Sequence, residues 1–109
     1  MLISALLGLS AMAMTLDQRD PTQAPRDAFS RCLFAFADAQ VQERKPLAEF
    51  EAALPQQCQN EERAFREAIR AQLTSLRVPA AQIEEDTTME VDDARANTKG
   101  RFEDAITPR

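Results

Sequence analysis

A chain of 109 residues has the length of one small domain, with room for only a modest core. Eighteen acidic against thirteen basic residues give a net charge of -5, which works against a general electrostatic grip on DNA, RNA or anionic lipid, so no nucleic-acid partner is expected. Histidine is absent, which removes the usual proton-transfer group near neutral pH and the commonest transition-metal ligand; neither an enzyme nor a cofactor nor a metal is indicated.

Residues 1–13 read as an export leader. Leu2 to Leu9 form an apolar run, and Ala11-Met12-Ala13 has the small-x-small form of a cleavage site, placing the cut before Met14. The n-region carries no Lys or Arg, so two alternatives stand beside this one: translation from Met12 or Met14, giving a cytoplasmic protein, or an uncleaved anchor. Extended to Leu16, the apolar stretch would make roughly 22 Å of helix, short of a bilayer core of about 30 Å, so no stable membrane span is expected. The leader points to a periplasmic or secreted protein.

Residues 14–24 are polar and aperiodic and are expected to form a flexible tail, followed by one helical domain over 25–106 and a short tail at 107–109. Two Gly, abundant Ala, Glu, Gln and Arg, and few β-branched clusters predict an all-α fold. The architecture expected is a small disulfide-linked helical bundle of three to four helices with a long C-terminal helix. Phe29, Cys32, Leu33, Phe36 and Gln40 recur at three- and four-residue steps, predicting a first helix from about Pro25 to Glu43. Leu47, Phe50 and Leu54 mark a short second helix that Pro55 ends or redirects. Cys58, Phe65, Ile69, Leu73 and Leu76 define the face of a third helix running to about Arg77.

After Val78-Pro79, the series Ile83, Thr87, Val91, Ala94, Thr98, Phe102 and Ala105 predicts a long fourth helix. Gly100 weakens it by about 1 kcal/mol relative to Ala, and fraying is expected after Lys99.

Cys32 and Cys58 both fall on apolar helix faces and, in an exported protein, pair as a structural disulfide. The bond would hold the middle of the first helix against the start of the third.

Two charge stripes flank the apolar faces. Arg63, Arg66, Arg70 and Arg77 share about 60° of the third helix, and Asp86, Glu90, Asp93 and Asp104 about 60° of the fourth. A hairpin folded at Val78-Pro79 would bring Arg70 to Asp86 or Glu90, Arg66 to Glu90, and Arg63 to Asp93, as interhelix ion pairs. Alternatively, the arginines bind an anion, or the carboxylates of Glu84 to Asp93 a cation.

Phe34, Ala37 and Val41 point away from Cys32 and Phe36, giving the first helix a second apolar side. Either the second or fourth helix covers it, or it is a seam for an unknown protein partner or a homo-oligomer. The leading functional expectation is a non-enzymatic interaction or self-assembly protein of the envelope; the alternative is a ligand- or cation-binding protein using the charge stripes.

Overall fold

The computed structural model describes residues 20–108, so the expected leader and most of the expected tail lie outside the described residues. The described chain is all-α: α1 (Gln23–Gln42), α2 (Leu47–Ala53), a 3-10 turn (Leu54–Gln56), α3 (Gln59–Ser75) and α4 (Ala80–Ile106). No helix among the described residues is long and apolar enough to cross a membrane.

Local chemistry sets the helix ends. Before α1, the Thr22 backbone N–H and hydroxyl both donate to Asp20 Oδ1, at 2.9 and 2.7 Å, and Thr22 is buried. This turn starts the helix two residues ahead of Pro25, which then occupies the first turn, where a missing N–H leaves no gap in the ladder. Residues 20–22 thus form a turn and residues 23–24 the start of α1.

α1 and α3 end in the same way. Arg44 and Arg77 adopt left-handed backbone conformations, with φ of 57° and 63°. The N–H groups of Lys45 and Val78 then bond back to the carbonyls of Gln40 and Leu73, and those of Arg44 and Arg77 to Val41 and Thr74. This is the six-to-one and five-to-two pattern that usually employs glycine, and a proline, Pro46 or Pro79, follows each time. Cys58 is a third left-handed residue, at φ 60°; it stands just before α3, not within it, and turns the chain out of the 3-10 segment.

The bundle direction follows from its cross-links. Phe29 meets Phe65, and Cys32 is bonded to Cys58 with Cα atoms 6.0 Å apart, so α1 and α3 are antiparallel. Arg26 lies by Glu90 and Asp38 by Arg101, so α1 and α4 run parallel. Arg70 meets Glu84 and Glu62 meets Arg95, which makes α3 and α4 an antiparallel hairpin. α2 crosses one end, where the Phe50 ring stacks on Phe102 at 4.1 Å and on Phe36 at 5.6 Å.

The α4 seam from Ile83 through Phe102 is buried as its spacing predicted, and the two threonines in it are satisfied locally. Thr87 donates to the Ile83 carbonyl at 2.7 Å and Thr98 to that of Ala94 at 2.8 Å. The expected fraying after Lys99 does not occur. α4 continues through Gly100 to Ile106, because Phe102 is enclosed by the α2 crossing and Arg101 is joined to Asp38. Two other expectations are corrected by burial: Ala105 is exposed at the end of the seam, and Leu76, at 65% exposed, lies beyond the core.

Candidate functional site

α4 carries its buried stripe between two flanks of different character. At 100° per residue, Glu84 and Arg95, eleven positions apart, share one flank, and Asp86, Met89 and Asp93 share the other. The first flank faces the arginines of α3; the second opens beside the start of α1.

On the α3 side, Arg63, Arg66, Arg70 and Arg95 line a hollow of about 400 Å³, together with Glu62, Gln59 and Pro55. Glu62 lies at its base and takes two guanidinium groups at once. Arg66 Nε donates to Oε2 at 2.7 Å and Arg95 Nη2 to Oε1, while the same Nη2 donates to the Pro55 carbonyl at 3.1 Å. Partial burial pushes the Glu62 carboxyl upward, and the hydrogen bonds and charges of Arg66 and Arg95 outweigh it, holding the group below its ordinary value. The Arg95 side chain is 17% exposed, lies 5.7 Å from the Phe29 ring centre, and its buried Nε has no acceptor among the described residues.

At the rim, Arg70 makes a two-pronged pair with Glu84, at 2.9 Å for each bond. The hydrogen bonds from Arg70 hold the exposed Glu84 carboxyl below its ordinary value. Among the described residues, the Arg63 guanidinium donates only to the Asn60 side chain, at 3.3 Å.

The second flank opens into a cleft of about 340 Å³ with Ile69, Leu73 and Met89 as its apolar surface and four carboxylates, Asp20, Asp86, Glu90 and Asp93, around it. Among the described residues, Arg26 is the single cation in the lining. It lies 3.7 Å from both Asp20 and Glu90 and over the Phe65 ring at 5.4 Å. The backbone N–H and hydroxyl of Thr22 bonded to Asp20 keep that exposed carboxyl below its ordinary value, with Arg26 adding to the effect.

These positions correct the expected interhelix pairs. Arg70 pairs with Glu84, not Asp86 or Glu90; Arg66 pairs with Glu62 on its own helix, not with Glu90; and Arg63 meets Asn60, not Asp93. The axial level was close, but the flank was not. Asp86 accepts from Gln82 at 2.8 Å, Glu90 meets Arg26, and Asp93 lines the acidic cleft. Docking of α1 beside that flank turns it away from α3.

The expected second apolar side of α1 is largely covered. Ala37 is fully buried in the core, and Val41 is half-buried and packed against it. Phe34 is half-buried, with the Arg101 guanidinium 4.8 Å from its ring centre, and Arg101 is held by Asp38 at 3.0 and 3.1 Å. Over Phe34 the cover comes from Arg101 of α4.

Among the described residues, Cys32, Cys58 and Glu61 form the one group with metal-ligand proximity, but both sulfurs are used in the disulfide, which leaves no thiolate to bind an ion. Compared with protein-family models, curated proteins and solved structures, the chain matches none.

Arg95, Glu62 and Arg26 join the sites without having been singled out by sequence. Arg95 was detectable as the residue three helical turns from Glu84, on the same flank. Glu62 was detectable as the acid one turn before Arg66.

Proposed function

We propose that this chain is an exported, non-enzymatic binding protein whose partner is another protein, engaged through the acidic cleft between α1, α3 and α4. The carrying observation is the cleft's composition: among the described residues, four carboxylates and one guanidinium stand around the side chains of Ile69, Leu73 and Met89. Met89 is 56% exposed, so apolar surface is open to a partner. A basic amphipathic helix suits this surface, its apolar face meeting Leu73 and Met89 and its Lys or Arg residues the rim. Export is supported by the disulfide and by the apolar leader pattern in residues 1–13.

The test is titration of the full chain with a cationic amphipathic helical peptide, followed by calorimetry. Saturable one-to-one binding is expected, weakened about tenfold in the Asp86→Asn, Asp93→Asn double variant by loss of charge attraction. Control substitutions Glu61→Gln and Glu67→Gln, on α3 outside the cleft lining, leave it unchanged. Non-saturable binding, or equal weakening by both pairs of substitutions, removes the cleft as the docking surface. Light scattering on the mature protein gives the oligomeric state, and a stable dimer would move the assignment to self-assembly.

A further inference from the structure

We propose that the hollow on the α3–α4 seam binds a small, multiply charged oxyanion of the phosphoryl or polycarboxylate class. Its lining brings four guanidinium groups, Arg63, Arg66, Arg70 and Arg95, together with one carboxylate, Glu62, in a chain whose net charge is -5. One carboxylate between Arg66 and Arg95 leaves one positive charge in excess there, and Arg63 has no carboxylate partner among the described residues. Glu84, outside the lining, answers Arg70, so the excess remains after every observed ion pair is counted. Four like charges at one seam repel one another, and an anion among them reverses that penalty.

The shape agrees with the charge. A volume of about 400 Å³ accommodates a metabolite-sized group and is too small for a folded domain. Arginine presents two parallel donors that match the oxygens of phosphate and carboxylate, which lysine does not. Glu62 and Arg95 are mostly buried and form a fixed base, whereas Arg63 and Arg70 stand more exposed at the rim, where a ligand would compete with Glu84 for Arg70. Arg95 also retains a buried side-chain donor, Nε, that no acceptor satisfies among the described residues. The hollow and the acidic cleft lie on opposite flanks of α4, so this site stands or falls independently of the protein partner proposed above.

The experiment uses the full chain with its disulfide intact, titrated calorimetrically with inorganic pyrophosphate and, separately, with citrate, at constant ionic strength set by sodium chloride. Saturable one-to-one binding of at least one probe, with a Kd below about 1 mM, is expected, and the stronger probe identifies the phosphoryl or carboxylate class. Arg63→Ala and Arg70→Ala each weaken it about tenfold, since each removes charge-assisted hydrogen bonds. Both side chains are at the rim, so the fold survives, and circular dichroism checks this. Arg31→Ala, an exposed arginine on α1 away from the hollow, leaves binding unchanged. No saturable heat with either probe, or equal weakening by Arg31→Ala, overturns the site.

Discussion

At the end of the bundle crossed by α2, Phe36, Phe50 and Phe102 stack in succession, Lys99 reaches Glu51 at 3.1 Å, and both Phe50 and Phe102 are fully buried. At the opposite end the α3–α4 turn projects past the start of α1, Leu76 is 65% exposed, and an exposed Arg70–Glu84 pair joins the two helices. The first end is held by apolar burial and aromatic contact, the second by turn geometry and surface charge. α4 is therefore a lever anchored near its C-terminus; the hollow runs from Pro55 and Arg95, toward the anchored end, to Arg70, whereas the acidic cleft, lined by Asp86 to Asp93, lies along the less enclosed half. A binding surface can be remodelled there with little effect on the fold.

Truncation at the anchored end tests this most severely. Phe102→Ala removes a fully buried ring and its stack on Phe50, with an expected loss of about 3–5 kcal/mol by urea unfolding. A loss below about 1 kcal/mol would show that α4 does not depend on this end. Next in size is the disulfide: replacing both Cys32 and Cys58 with Ala frees a loop with a sequence separation of 26 and lowers stability by about 3.5 kcal/mol in the chain-entropy treatment. Thermal melts of the oxidised and reduced wild-type chain give the same comparison without mutation.

The difference between the ends also marks how far sequence reasoning reaches. Helix periodicity found the buried seam of α4 from Ile83 to Phe102, because burial of one stripe repeats every three or four residues whatever the partner helix. The cysteine pair was legible for a similar reason: two Cys on apolar faces have few other uses in a chain without His. Helix ends were harder. Arg44 and Arg77 take the left-handed position that glycine normally announces, so the recurring Arg-x-Pro was the only signal. The charge pairing needed information that no single helix contains. Asp86 and Glu84 are two residues apart and point to different flanks, and only the docking of α1 decides which of them meets Arg70.

Between the two ends, Glu62 ties α3 to α4 from a mostly buried position. Glu62→Gln leaves Arg95 with a weaker acceptor and is expected to lower stability by about 2 kcal/mol. The carboxyl lies below its ordinary value of 4.5 in the folded protein, so its stabilising contribution is present above that pH and is lost as pH falls through the depressed value. Asp20, Asp38 and Glu84 are depressed as well and act in the same direction. Unfolding measured from pH 6 down to about pH 2 should show stability declining below about pH 4.5, with a shallower decline in Glu62→Gln. A flat profile would mean that these ion pairs do not favour the folded state.

The smallest effect is expected at the projecting end. Arg70 and Glu84 are joined by two bonds, but both side chains are substantially exposed, at 41% and 60%, so water and salt compete with them. A double-mutant cycle with Arg70→Ala and Glu84→Ala should give a coupling of no more than about 1 kcal/mol, reduced further at 1 M salt. The same cycle on Arg95 and Glu62 should give a larger coupling that salt changes less, because those side chains are 17% and 18% exposed. If the two couplings proved equal, and equally sensitive to salt, burial would not distinguish the base of the hollow from its rim. The rim arginines could then no longer be treated as the replaceable part of the seam, since a group that is cheap to remove must be weakly coupled to the helix opposite.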